Sequence, residues 1–302
     1  MKVLVTGASG AIGKAVCDAL LARGDSVVGL SRNPHDARQS NMRVEWHEWT
    51  PELERPPEEA LAGVDGVINL VGEPINQRWT DEAKKRILAS REKATKNLVA
   101  AIAGASEKPK VLVSQSAVGY YGDTGDAIVD ETAPPSERFD SQVCVKWEAA
   151  AKEVEGSGVR LAIMRTGLVL DKDHGLLKEL LVPFKLGVGG PLAGGKFYMP
   201  WISLDDEVGL LIWALDTESA SGVYNASAPE PVTNKVFSKA LGKALGRPAV
   251  MPVPKLAVVA RLGGEMGTAA TTGQRAVPRR AQDDGYAFRH PDIDSGMAAA
   301  LA

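Results

Sequence analysis

The chain has 302 residues, with 35 lysines and arginines against 38 aspartates and glutamates, and a formal net charge of −3 at pH 7. This balance, without a basic block, argues against a dedicated nucleic-acid binder, which usually carries a basic patch or stripe. No apolar run is long enough to cross a bilayer, and the first residues match a strand rather than a signal peptide, so no membrane partner is expected. Cys17 and Cys144 lie far apart and form no metal or redox motif, which is typical of a reducing cytoplasm. No metal site is predicted, because the histidines are scattered: His35, His47, His174 and His290.

Short apolar runs alternate with helical patterns along the first part of the chain. Helices are predicted near 11–23, 80–104 and 141–155. Strands are predicted over 2–5, 26–30, 43–46, 66–70, 110–114 and 159–164. Alternation of this kind is typical of the α/β class with a doubly wound parallel sheet, the Rossmann arrangement.

A glycine-rich turn lies between the first strand and the first helix. Three glycines at this spacing make a tight turn, let the backbone approach a pyrophosphate and aim amide hydrogens at it from a helix N-terminus. The position of the turn makes it strong evidence for a dinucleotide site. Its residues are Thr6, Gly7, Ala8, Ser9, Gly10, Ala11, Ile12 and Gly13.

The end of the second strand indicates which dinucleotide is bound. An NAD site usually has an acidic residue here for the ribose 2′-hydroxyl, but this chain has Ser31-Arg32-Asn33-Pro34. A guanidinium suits a 2′-phosphate through charge-assisted hydrogen bonds. We therefore expect NADP(H), with Arg32 at the 2′-phosphate; the alternative is that Arg32 is an ordinary solvated arginine.

Further motifs follow in order along the chain. They are Asn69-Leu70-Val71-Gly72-Glu73-Pro74-Ile75, Arg78-Trp79-Thr80, Ser90-Arg91, Ser116-Ala117-Val118-Gly119-Tyr120-Tyr121-Gly122, Lys146-Trp147-Glu148, Gly189-Gly190-Pro191-Leu192, Pro200-Trp201-Ile202 and Gly273-Gln274-Arg275. With the Thr-Gly-x-x-Gly-x-x-Gly start, they resemble the extended short-chain dehydrogenase/reductase superfamily. The resemblance is closer to its atypical branch of NADP-binding "epimerase family" proteins, and it covers essentially the whole chain.

The resemblance implies a domain organisation. Residues 1–170 would form the NADP-binding Rossmann domain, to which residues of about 203–228 return. Residues 171–302 would form a smaller substrate lobe, including a small C-terminal domain at about 248–300. Within that lobe, Trp201 and its neighbours Phe197, Tyr198 and Met199 fit a core or a substrate pocket equally well.

The resemblance also implies further cofactor-binding residues. Ser31, beside Arg32, would lie at the adenosine phosphate. Arg91 is similar to a family arginine that reaches the cofactor, and Leu168, after Arg165, would line the nicotinamide end. The loop after the fourth strand would flank the cofactor. The predicted cofactor-binding residues beyond the glycine turn, Ser31 and Arg32 are Leu70, Val71, Gly72, Glu73, Arg91, Ser114, Arg165 and Leu168.

The catalytic pattern of the superfamily is incomplete in this chain. Active members use a Tyr-x-x-x-Lys pair, in which the lysine lowers the tyrosine pKa, together with a serine at a strand end. Ser116 fills the serine role, but if Lys146 is the lysine, Gln142 stands at the tyrosine position. Glutamine transfers no proton at neutral pH, so the standard mechanism is lost or replaced.

Candidate replacements come from the loops near the expected nicotinamide. Tyr120 and Tyr121 follow Ser116 at the carboxyl ends of the strands, where ligands bind in such sheets. Both rings alternatively pack against the substrate lobe, and Glu73 is a base only if desolvated. The predicted catalytic residues are Ser116, Tyr120, Tyr121 and Lys146.

Two functions remain open from the sequence. The first is an NADP(H)-dependent oxidoreductase or epimerase of non-standard mechanism, whose partner is a small-molecule substrate of unknown identity. The second is a sensor or regulatory protein that holds NADPH without turning it over. The missing tyrosine favours the second, while the intact cofactor loop fits both. The sequence leaves oligomerisation open.

Overall fold

The computed structural model describes residues 1–302, and its centre is a seven-stranded, all-parallel sheet. In chain order, the first half contains β1 (Lys2–Thr6), α1 (Ala11–Ala22), β2 (Ser26–Ser31), α2 (Pro34–Ser40), β3 (Glu45–Glu48), β4 (Gly66–Asn69), α3 (Asp81–Gly104), β5 (Val111–Ala117), β6 (Ile128–Val129) and α4 (Phe139–Lys152). The second half contains β7 (Arg160–Thr166), β8 (Leu168–Leu170), α5 (Gly175–Lys185), β9 (Tyr198–Met199), β10 (Trp201–Ser203), α6 (Leu204–Asp216), β11 (Gly222–Ala226), β12 (Val232–Thr233), α7 (Asn234–Ala244), α8 (Lys255–Leu262), α9 (Gly264–Ala269), β13 (Arg275–Ala276), α10 (Arg279–Asp283) and α11 (Ile293–Leu301).

The strand order is β3-β2-β1-β4-β5-β7-β11. This order reverses direction between β1 and β4, and ligands of open α/β sheets bind at the carboxyl side of such a switch point. The predicted doubly wound Rossmann sheet is confirmed. No helix in the chain combines the length and the apolar character needed to cross a membrane.

Alternate residues of the central strands pack against helices on opposite faces. On one face, Val3 and Val5 belong to a core shared with α1 and α6. On the other, Leu4 packs in a core with Leu98 of α3 and Ala151 of α4. Because both faces are covered, the strands are almost wholly apolar.

A third group of buried side chains forms a separate hydrophobic core. Leu177 and Phe184 of α5, Phe237 of α7 and Met297 of α11 pack around Trp201, which is fully buried. Trp201 is therefore a core residue. Phe197 and Met199 also pack in this core, and together with Tyr198 they line a cavity.

The element boundaries differ from the prediction in two informative places. Strand β5 runs to Ala117, three residues beyond the predicted end at residue 114, so Ser116 is the last residue but one of the strand. Helix α2 is absent from the prediction, although Asn33 accepts a hydrogen bond from the Asp36 backbone N–H and Pro34 begins the helix. The capping side chain of Asn33 and the proline at the first helical position are ordinary signals of a helix start.

Residues 203–228 contribute to the sheet and its cover. Helix α6 packs on α1, and β11 pairs with β7 at the sheet edge. Outside that sheet, Arg275 and Ala276 of β13 pair in parallel with β6 in a separate two-stranded sheet.

Candidate cofactor and substrate site

The glycine turn has no room for side chains at two of its glycines, because backbone atoms lie too close to them. Gly7 has φ of +64°, and a Cβ there would lie 2.8 Å from the Leu70 carbonyl oxygen. A Cβ on Gly13 would lie only 2.2 Å from the Gly7 carbonyl oxygen. The Gly10 N–H donates to that same oxygen at 2.9 Å. The turn is therefore locked between the start of α1 and the loop after β4.

The start of α1 is left open to an anion. Gly10 is the N-cap residue and supplies no side chain to cap the helix. The first amide hydrogens of a helix have no partner within it, and the helix dipole is positive at that end. An anion placed against this end therefore finds donors already oriented toward it.

Thr6 ties the turn to the neighbouring strand end. Its hydroxyl donates to Asn69 Oδ1 at 2.7 Å and accepts from the backbone N–H of Leu70 and Val71 at 3.0 and 3.2 Å. Asn69 in turn donates to the hydroxyl of Ser114 at 3.2 Å. Thr6 and Ser114 thus hold the loop that follows β4 rather than lining a cavity themselves.

These strand ends enclose a first cleft of about 550 Å³. Arg32 is exposed in its wall, and its guanidinium takes part in none of the ion pairs of the chain. The predicted cofactor-binding residues that line this cleft are Gly7, Ser9, Gly10, Ser31, Arg32, Leu70, Val71, Gly72 and Glu73.

Glu73 is occupied in this cleft. Its Oε1 accepts from Gln77 Nε2 at 2.8 Å and from Arg86 Nε at 3.2 Å. The Gln77 hydrogen bond and the Arg86 charge lower the pKa of Glu73. A carboxylate held in its ionised form is a weak base, so Glu73 suits the cofactor loop better than proton transfer.

A second cavity of about 330 Å³ adjoins the first. Its walls come from both halves of the chain, including Trp79, Trp147, Leu168 and the Phe197–Pro200 segment. Residues 266–274 supply a further wall. We call it the apolar cavity, because most of its lining side chains are apolar.

Arg91 separates the two spaces. It lines the apolar cavity, while its guanidinium carbon lies 3.0 Å from where a Cβ on Gly72 would stand in the first cleft. The same carbon lies 5.1 Å from the Trp147 ring centroid. Arg91 has no carboxylate partner, and burial lowers its pKa. A half-buried guanidinium without a carboxylate partner at this boundary is suited to an anionic group of a bound ligand.

Beneath the apolar cavity lies a buried ion pair. Arg165 of β7 donates from Nε to Glu148 Oε1 at 2.8 Å and from Nη2 to Oε2 at 2.9 Å. Ser116 of β5 also donates to Glu148 Oε1 at 2.8 Å. All three residues are buried. Although burial opposes the charge of Arg165, its hydrogen bonds and attraction to Glu148 raise the pKa of the guanidinium.

Tyr121 and Tyr120 complete this network. Arg165 Nη1 donates to the Tyr121 hydroxyl at 3.0 Å, and that hydroxyl donates to Asn225 Oδ1 at 2.7 Å. Burial raises the pKa of Tyr121 to about 12. The Arg165 guanidinium carbon lies 3.4 Å from the Tyr120 ring centroid. Both tyrosines therefore hold Arg165 in place, and neither lines the apolar cavity.

A buried acid lies at the edge of the apolar cavity. Glu207 of α6 accepts from the hydroxyl of Thr166, a cavity wall residue, at 2.8 Å, and from Gln115 at 3.5 Å. Its Oε2 has no partner, and burial raises the pKa of Glu207 to about 7. The Asp205-Asp206-Glu207 run looks from sequence like an acidic first turn of a helix, so its burial was not predicted.

Comparison with known proteins places this geometry in context. The family model described as "NAD dependent epimerase/dehydratase family" matches residues 3–227, and one described as "Domain of unknown function (DUF1731)" matches residues 253–300. The chain belongs to the NAD dependent epimerase/dehydratase family.

This family member matches three relatives along nearly their full length. It is 37% identical to "Epimerase family protein SDR39U1" of Bos taurus, covering 100% of both chains. It is 38% identical to "Epimerase family protein Mb2239" of Mycobacterium bovis, covering 99% of this chain and 97% of the relative. The crystal structure of human epimerase family protein SDR39U1 (isoform 2) with NADPH superposes with a TM-score of 0.91 at 34% identity, covering 100% of this chain and 99% of that one. The predicted resemblance to the epimerase family is therefore confirmed.

In this family member, three of the four predicted catalytic residues lie together in the buried network and the fourth, Lys146, lies apart from them. Ser116, Tyr121 and Arg165 share one buried network, and Tyr120 packs on it. Arg165 therefore lies in that network and not in the cofactor cleft, where it was predicted. Lys146 lies on the exposed face of α4, away from both spaces.

The helix that normally carries the tyrosine presents different groups to the apolar cavity. Asp140, Val143, Cys144 and Trp147 of α4 line it, while Gln142 is exposed. Burial raises the pKa of Cys144 to about 12, so its thiol stays protonated. Glu148, four residues after Cys144 on the same buried face, was missed as a site residue, because no short motif marks its burial.

Proposed function

We propose that this chain binds NADP(H) and acts as an oxidoreductase or epimerase on a small molecule. The observation that carries the proposal is the junction of the two spaces. A cleft built on the glycine turn and ending at Arg32 meets the apolar cavity across Gly72 and Arg91. The match to the human protein crystallised with NADPH supports the choice of cofactor.

The residues of this chain fit the parts of such a cofactor. The uncapped start of α1 would take the pyrophosphate, Arg32 the 2′-phosphate, and the Leu70–Glu73 loop one side of the ligand. When bound, NADP(H) supplies a hydride donor or acceptor. Arg91 would hold an anionic group of the cofactor at the boundary, and Leu168 would close the cavity beside it. A cytoplasmic location is part of this proposal.

Replacing Arg32 by alanine is expected to weaken NADPH binding by about 10- to 100-fold, the loss of one or two charge-assisted hydrogen bonds. NADH binding should not change, because NADH has no 2′-phosphate. Fluorescence titration of both nucleotides measures this difference. The matched control is Arg38→Ala, which removes an exposed arginine outside the cleft. Equal losses for NADPH and NADH would contradict the assignment of Arg32.

A second candidate function has a specific observation in its favour. The hydroxyls predicted to act in catalysis, those of Ser116 and Tyr121, are bonded inside a buried network, and Lys146 is exposed. A protein that holds NADPH without turnover, as a sensor or regulator, fits that arrangement.

A deuterium-transfer assay separates the two functions. NADPH labelled with deuterium at the nicotinamide C4 is incubated with a panel of aldehydes, ketones and quinones. We expect stereospecific transfer of deuterium to a carbonyl carbon, and Arg32→Ala should raise the KM for NADPH while leaving kcat unchanged. Tight NADPH binding with no transfer to any compound would instead support the sensor function.

A further inference from the structure

We infer that the substrate is a compact, uncharged and mainly apolar ketone or aldehyde, or the corresponding alcohol, and not a nucleoside diphosphate sugar. The inference rests on the proposed function and deepens it. It starts from the walls of the apolar cavity, which include Ile75, Trp79, Val118, Leu176 and Met266. Burial of apolar ligand surface against such walls is the main source of affinity available there.

The charges in the walls exclude a diphosphate. Arg91 is the single lysine or arginine among the lining residues, and the proposed function assigns it to the cofactor. Asp140 is the single carboxylate, and it is paired with Arg138 at 3.0 Å. A diphosphate brings two negative charges out of water, which requires cations or several donors in return. The cavity has no further cation to offer.

Most polar wall groups are already bonded within the protein. The Thr166 hydroxyl donates to Glu207, and the Gln274 amide donates to the Gly122 carbonyl oxygen. The indole Nε1 of Trp147 is buried without a partner. That burial also keeps Nε1 off the cavity surface. A wall whose polar groups are mostly bonded elsewhere offers few partners to the many hydroxyls of a sugar, and it suits a ligand with a single neutral polar group such as a carbonyl.

The size of the cavity agrees with a compact ligand. Its volume of about 330 Å³ lies near the lower end of the range for ligand pockets. Residues 266–274 form the wall that limits it, with Ala269 and Ala270 at the end of α9. A larger side chain at Ala270 would reduce the volume directly.

A chain-length series tests the inference without relying on turnover. Calorimetric titration of the NADP⁺-loaded protein with methyl ketones from 2-butanone to 2-decanone measures affinity. We expect affinity to rise about fourfold per methylene, the value of burying one CH₂, until the cavity is full. UDP-glucose should neither bind nor compete. No ketone binding up to its solubility limit, an affinity independent of length, or displacement by UDP-glucose would overturn the inference.

Two variants localise the binding. Ala270→Phe, which fills the cavity, should lower the affinity for the longer ketones at least tenfold. Thr268→Phe adds the same ring to an exposed position of α9 outside the cavity and should leave the affinity for the ketones unchanged. Equal effects of the two would overturn the location. NADPH titration of each variant keeps the tests separate, because normal NADPH binding with failed ketone binding refutes this inference and not the cofactor assignment.

Discussion

Replacing Glu148 by alanine is expected to lower the free energy of unfolding by about 3–5 kcal/mol, the cost of leaving a buried charge without its partner. The variant leaves the Arg165 guanidinium without two hydrogen bonds and leaves the Ser116 hydroxyl without its acceptor. Both groups are buried, so they lose the carboxylate without gaining contact with bulk water. Urea denaturation of the wild type and the variant measures the difference.

The matched control for this prediction is Glu92→Ala. Glu92 of α3 pairs with Lys96 at 2.9 Å one helical turn away, on the surface. Such a pair contributes about 0.3–0.5 kcal/mol. If Glu148→Ala cost no more than this control, Arg165 would have another source of stabilisation and the network would not hold the strand ends.

The variant Gly13→Ala is expected to weaken NADPH binding at least about 100-fold and to lower stability by about 1–3 kcal/mol, as overpacking does. The added Cβ would lie 2.2 Å from the Gly7 carbonyl oxygen, which is backbone and cannot rotate away. The turn and the start of α1 must then separate, and the amide hydrogens aimed at the pyrophosphate lose their direction. NADPH titration together with thermal unfolding measures both effects.

Gly104→Ala is the control for the glycine substitution. Gly104 ends α3, and a Cβ there would meet nothing within 4 Å. Alanine is favoured over glycine in a helix by up to about 1 kcal/mol, so this variant should be as stable as the wild type or slightly more. Normal NADPH affinity in Gly13→Ala would contradict the assignment of the turn to the pyrophosphate.

The fold and the cofactor cleft follow from the sequence because their signals are local. Gly7, Gly10 and Gly13 are six residues apart in total, and Arg32 follows its strand directly. A tight turn at the end of an apolar strand depends on neighbours in the chain, so its position and its contacts are predicted together.

The candidate catalytic residues could not be predicted in the same way. Glu148 and Arg165 lie 17 residues apart, and their pairing depends on where α4 crosses β7. The superfamily pattern of a tyrosine and a lysine four residues apart falls instead on Gln142 and Lys146, which are both exposed. The burial of Glu148 is set by tertiary packing, which no short motif records.

The two spaces also differ in how much of the chain lines each of them. The first cleft is lined by residues between Gly7 and Ser90. The walls of the apolar cavity extend from Ile75 to Gln274. A substitution after Ser90 therefore leaves every lining residue of the cleft in place, whereas substitutions in either half of the chain can reshape the cavity.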